Sequence, residues 1–234
     1  VQLVAGGLGD MLDHLTCQDA VAFTGSADTA LKLRSNPLIL GNSVRFTSEA
    51  DSLNASILGP DATPGTPEFD LFIKEVSREM TTKAGQKCTA IRRIIAPENT
   101  TEAVIEALSA RLAKTVIGDP RLETTRMGAL VSAGQKRDVL EKAALLGTEA
   151  ERVFGKPDDF KVEGADAEKG AFVPPMLFHC ASPDTAEHVH ASEAFGPAST
   201  LNAYRPLAHP IPPAPQGPAP LLAHGTPPDP DVAH

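Results

Sequence analysis

A chain of 234 residues with 41% hydrophobic content is long enough for one large domain or two modest ones with a real core. Its net charge of -9, with no basic stripe and no interleaving of aromatic and basic residues, argues against a phosphate-backbone partner, so no nucleic acid is expected. No apolar run approaches the roughly 20 residues that cross a bilayer. The start, Val1-Gln2-Leu3-Val4, has no charged n-region, so a cytoplasmic protein with no membrane partner is expected.

Val1 to Ala5 reads as a short strand running into the glycine turn Gly6 to Gly9, and Met11, Leu12 and Leu15 give a brief apolar helical face. Ala20 to Phe23 is a buried-strand run that ends at Thr24-Gly25-Ser26 and leads into a helix from Ala27 to Arg34. Val44 to Thr47 and Ala55 to Leu58 are further strand candidates, separated by the acidic stretch Glu49-Ala50-Asp51. The best-defined helix follows: Thr66 suits the cap, Pro67 the first turn and Glu68 the positive end of the dipole. Its apolar face is Phe69, Phe72, Ile73, Val76 and Met80, and Gly85 is expected to stop it, leaving Cys88 in the turn beyond.

Ile91 to Ala96 reads as a strand carrying an exposed basic pair, Arg92-Arg93, and closed by Pro97. A second amphipathic helix begins near Thr101, with Val104, Ile105, Leu108 and Leu112 on one face and Gly118-Asp119-Pro120 as its end. A third spans Ala133 to Leu146 and leads into a strand, Glu151 to Phe154. This alternation marks an α/β fold. Ten of the 21 prolines lie in the last 30 residues, where a disordered or polyproline-like tail is expected, with no helix or central strand.

The three cysteines, Cys17, Cys88 and Cys180, are widely spaced and form no CxxC, so free thiols in a reducing compartment are expected. Cys88 lies after a helix, among small and polar residues, with Lys83 and Lys87 close in sequence. Positive neighbours and free N–H groups raise a thiol's thiolate fraction, which makes Cys88 a candidate nucleophile. His179-Cys180 and His188-Val189-His190 match no zinc spacing, and no metal is expected.

Gly85-Gln86-Lys87-Cys88-Thr89 resembles the G-Q-x-C nucleophile motif of the aldehyde dehydrogenase superfamily. Three other landmarks follow the family order: Phe23-Thr24-Gly25-Ser26 resembles its F-T-G-S turn, Glu49 its general base, and Glu193-Ala194-Phe195-Gly196-Pro197 its E-x-F-G-P motif. Taken singly, each has a plain structural reading: a solvated loop at Glu49 and Asp51, an ordinary turn at Gly25-Ser26, a chain reversal at Gly196-Pro197. The resemblance implies an aldehyde dehydrogenase-like α/β fold. Residues 1–48 would be the end of a Rossmann-like cofactor domain, 49–204 a partial catalytic domain and 205–234 the proline-rich tail. It also implies Cys88 as nucleophile, Glu49 as base, and Thr24, Gly25, Ser26, Glu193 and Phe195 as cofactor-binding residues.

Most of the superfamily reads E-L-G-G-K-S-P where this sequence has Glu49-Ala50-Asp51-Ser52. That departure, with the run from Arg78 to Arg93, looks like the branch of bacterial phenylacetate degradation, where the domain accompanies a ring-opening hydratase-like domain. The resemblance implies a CoA-linked semialdehyde substrate and NADP, with NAD as the alternative, in a homo-oligomeric parent. A semialdehyde dehydrogenase of the aerobic benzoyl-CoA pathway is the nearest competing expectation, and a non-catalytic binding protein on the same fold is another. The family's oxyanion-hole asparagine has no counterpart here, and the abrupt proline-rich tail reads as a truncated or frameshifted frame.

Overall fold

The computed structural model describes residues 1–205 and 223–226, in two compact units that divide between Asp51 and Ser52. That point lies three residues beyond the expected 48/49 division and leaves Glu49 on the first unit. No helix among the described residues is long and apolar enough to cross a membrane.

In the first unit, strand β1 (Ala20–Gly25) pairs in parallel with β2 (Arg45–Ala50), in register from Ala20 opposite Arg45 to Gly25 opposite Ala50. Helices α1 (Ala27–Arg34) and α2 (Pro37–Gly41) make the crossover that parallel strands require. Both have side-chain caps: the Ser26 hydroxyl accepts from Thr29 N at 3.3 Å and Asn36 Oδ1 from Leu38 N at 2.8 Å. β2 runs three residues past the expected strand, so Glu49 is a strand residue and not part of an acidic loop. Val1 to Ala5 form no strand; Val1, Leu3 and Val4 are exposed, and no described strand lies beside them to take up their backbone groups. Met11–His14 is a single 3-10 turn.

The second unit is built on a six-stranded sheet. Its strands in chain order are β3 (Asn54–Leu58), β4 (Ile91–Pro97), β5 (Glu151–Phe154), β6 (Met176–Cys180), β7 (Ala198–Tyr204) and β8 (Ala223–Thr226). Their spatial order is β5-β6-β7-β4-β3-β8, all pairs parallel except β5 with β6. Helices α3 (Pro67–Thr81), α4 (Thr101–Leu112) and α5 (Ala133–Leu146) connect them, with a short α6 (His188–Ala191) before β7. Period-two alternation divides the core between the sheet's faces. Met176, Phe178 and Cys180 pack with Val139, Ala143 and Leu146 of α5. Leu177 and Leu201 pack on the other side with Phe72, Val76 and Met80 of α3 and Val104, Leu108 and Leu112 of α4.

Three expectations change here. Arg92 and Arg93 are buried, at 4% and 1% exposure, because β4 has a strand on each side and covered faces. α4 ends at Leu112, well before Gly118-Asp119-Pro120. Gly118 instead marks a crossing of two chain segments, where it bridges Glu163 and an added Cβ would overlap the Glu163 carbonyl. Within the proline-rich tail, Ala223–Thr226 is an edge strand beside β3; the rest of the disorder expectation falls outside the described residues.

Candidate active site

The sequence that carries Cys88 is shaped by an abrupt end to α3. Thr66 caps its start, accepting from Phe69 N at 3.3 Å, and Phe69, Phe72, Ile73, Val76 and Met80 bury the expected face. The α-helix stops at Thr81, four residues before Gly85, and Lys83, Ala84 and Gly85 follow in the left-handed region at φ 53, 53 and 70. For Lys83 and Ala84 this conformation is strained. Gly85 is needed for a second reason: a Cβ there would overlap the carbonyl oxygen of Gly196. The Gly85 to Thr89 motif and the Glu193 to Pro197 motif thus meet backbone to backbone.

Beyond Gly85 the chain turns through Cys88, which is exposed. The Cys88 carbonyl accepts from Asn54 Nδ2 at 2.7 Å and from the Ser52 hydroxyl at 2.9 Å, and Asn54 also reaches the Ala90 carbonyl at 3.1 Å. Gln86 fixes the other side of the turn, accepting from Val131 N at 2.9 Å and donating to the Lys83 carbonyl at 3.0 Å. Lys87, expected as a positive neighbour of the thiol, is ion-paired with Glu79 at 2.6 Å, which neutralises much of its field.

Arg92 lies behind this turn. Its Nη2 donates to the Gly85 carbonyl at 2.8 Å, Nη1 to the Gly196 carbonyl at 2.7 Å, and Nε to Glu193 Oε1 at 3.2 Å. The guanidinium also lies over the Phe195 ring, 5.5 Å from its centroid. The other Glu193 oxygen accepts from Ser52 N at 3.0 Å. Burial pushes the Arg92 guanidinium pKa down, and the charge and hydrogen bond of Glu193 oppose this. Arg93 points elsewhere, donating from Nε and Nη2 to the Leu53 carbonyl at 3.0 and 2.6 Å.

Of the residues singled out in sequence, Cys88, Glu193 and Phe195 are thus gathered in the second unit. Thr24, Gly25, Ser26 and Glu49 belong to the first. There, Thr24 stands opposite Glu49 in the ladder, both exposed, and Gly25 ends β1 where a Cβ would meet the Phe23 ring at 2.5 Å. Ser26 caps α1 and donates to the Thr29 hydroxyl at 2.9 Å. Asp51 explains part of the sequence departure at Glu49-Ala50-Asp51-Ser52. It adopts φ 45, which aspartate tolerates better than most residues, and its Oδ1 accepts from Ala27 N at 3.1 Å at the start of α1.

Sequence reading missed Ser52, Asn54 and Arg92. For Arg92 the available signal was a charged residue within a predicted strand, which a buried strand tolerates only when it is bonded; Ser52 and Asn54 precede the strand expected at Ala55 and carried no such signal. Cys180 is buried on β6, and burial pushes its thiol pKa up, which suits a packing role.

Known proteins agree with this architecture. The aldehyde dehydrogenase family profile matches residues 1–214. The chain is 52% identical over 204 residues to the 3,4-dehydroadipyl-CoA semialdehyde dehydrogenase of Aromatoleum evansii, covering 87% of this chain and 40% of that protein. It is 42% identical over 84 residues to Protein MaoC of Klebsiella aerogenes, covering 36% of this chain and 23% of that one. The betaine aldehyde dehydrogenase of Staphylococcus aureus, solved in complex with NAD+, superposes with a TM-score of 0.69 at 24% identity, over 80% of this chain and 35% of its own; at that identity the likeness concerns the fold. The chain spans about 40% of the length of the first of these relatives. With an α/β fold that overlays part of a solved aldehyde dehydrogenase and a family match over nearly its whole length, the chain belongs to the aldehyde dehydrogenase family.

Proposed function

We propose that this chain carries the nucleophile, Cys88, and the base, Glu49, of a dehydrogenase whose whole protein oxidises a CoA-linked semialdehyde to its carboxylic acid. NADP is the expected cofactor, with NAD as the alternative. The observation that carries the reading is the bonded cradle of Ser52, Asn54, Arg92 and Glu193, which holds an exposed cysteine in a backbone turn with defined geometry.

In this reading the Cys88 thiolate attacks the aldehyde carbon to give a tetrahedral thiohemiacetal, with the Cys88 N–H as one donor to the developing oxyanion. A bound nicotinamide supplies the hydride acceptor. The acyl thioester left on Cys88 is then hydrolysed by water that Glu49 deprotonates. The residues that would hold the cofactor are of fitting kinds. Thr24, Gly25 and Ser26 lie at the carboxyl end of a parallel strand and the start of a helix, where α/β sheets bind ligands. Glu193 is held in place by Arg92 Nε and Ser52 N, and a carboxylate is the kind of acceptor a ribose hydroxyl takes.

The CoA-linked substrate is supported by the 52% identical relative, named for 3,4-dehydroadipyl-CoA semialdehyde. Because that match runs over 87% of the chain, it favours the benzoyl-CoA-type pathway over the phenylacetate-type one. The test is a stoichiometric mixture of the protein with 3,4-dehydroadipyl-CoA semialdehyde and NADP or NAD. One equivalent of reduced cofactor is expected, absent in Cys88→Ala. In Glu49→Gln the burst is expected to persist while turnover is lost. No burst with either cofactor, together with no alkylation of Cys88, would leave a non-catalytic binding role.

A further inference from the structure

We infer that Arg92 is a positioning residue of this site: one buried side chain fixes both the Cys88 turn and the Glu193 carboxylate, and so sets the reactivity of the thiol. The inference rests on the reading of Cys88 as nucleophile. Two buried carbonyls, of Gly85 and Gly196, are brought together where the two motifs meet; each already accepts a backbone N–H of its own segment, from Lys87 and Ala198 at 2.9 Å, and a donor shared between them ties one segment to the other. Arg92 supplies it with two different nitrogens, at 2.8 and 2.7 Å, and uses the third for Glu193.

The bonds then close into a circuit. Glu193 accepts from Ser52 N, and the Ser52 hydroxyl donates to the Cys88 carbonyl. The turn is therefore gripped at its first residue, Gly85, directly by Arg92, and at Cys88 through Glu193 and Ser52. A lysine could keep the charge but has no planar fork to serve three acceptors at once. Arg92 is buried, so it acts through these neighbours rather than on substrate. Its removal takes one positive charge from the bonded circuit that ends at the Cys88 carbonyl, and loss of positive charge nearby disfavours a thiolate.

The experiment is alkylation of Cys88 by iodoacetamide between pH 6 and 10, in a Cys17→Ser background because Cys17 is also exposed while Cys180 is buried. It requires neither aldehyde nor cofactor. In Arg92→Met the midpoint of the rate profile is expected to move to higher pH, with a slower rate at neutral pH. Arg92→Lys is expected to restore the midpoint but not the full rate. A folded Arg92→Met protein whose profile superimposes on the parent's overturns the inference. Where Arg92→Met does not fold, the Lys variant decides, and a rate and profile equal to the parent's overturn it. Because the readout is chemical labelling, a protein that gives no reduced-cofactor burst still tests the role of Arg92. Conversely, a normal burst with an unchanged alkylation profile in the Arg92 variants refutes that role and leaves the proposed function standing.

Discussion

Tyr204 is the single tyrosine of the chain, and it closes β7 with its hydroxyl donating to the Leu58 carbonyl at 2.8 Å. Burial, and then the negative charge of Asp61, push its phenol up from 10 to about 12. The folded state thus holds the proton more tightly than the unfolded one, so the contribution is complete below pH 10 and is lost as pH rises toward 12. With no tryptophan present, ultraviolet absorbance titrates this one phenol directly. The phenolate is expected near pH 12 in the native protein and near 10 in urea; a native transition near 10 would contradict the buried bond. The two arginines of β4 teach a related lesson. Their residue type pointed to solvent, yet carbonyl oxygens of three separate segments make burial tolerable. Nothing local in Ile91-Arg92-Arg93 announces those acceptors, since Gly196 lies 104 positions away.

Among the elements, α3 shows how far local chemistry reaches. Its cap, first-turn proline and apolar face all follow from residues within one stretch of sequence, and each is found in place. Thr66→Ala removes the acceptor for Phe69 N and is expected to cost about 1 kcal/mol in urea unfolding, with Thr66→Ser close to neutral. A loss as large in Thr66→Ser would show that packing, not capping, holds the position. The helix's end was less legible: Gly85 was the natural stop, but Lys83 and Ala84 enter the left-handed region first. Gly85 then meets the Gly196 backbone, a contact no local stretch of sequence contains. β6 and β7 escaped sequence reading because Met176-Leu177-Phe178-His179-Cys180 and Ala198-Ser199-Thr200-Leu201 alternate weakly, as strands covered on both faces do.

At the scale of the whole molecule, the second unit has two cores separated by one sheet. Phe178 belongs to one and Leu108 to the other, and both are fully buried. Phe178→Ala and Leu108→Ala are each expected to destabilise by about 2–5 kcal/mol. Their effects should add to within about 0.5 kcal/mol, because the two side chains belong to separate clusters. A coupling well above that would mean that the sheet transmits packing between its faces. The sequence by itself determined the α/β class, the capped helix α3, the turn at Cys88 and the family to which its motifs belong. These depend on short-range periodicity, caps and turn residues, which a linear reading contains. The tertiary structure decided the order β5-β6-β7-β4-β3-β8, the burial of Arg92 and Arg93, and the circuit from Arg92 through Glu193 and Ser52 to Cys88. Those features are contacts between residues dozens of positions apart, and their energies exist only once the sheet has brought the segments together.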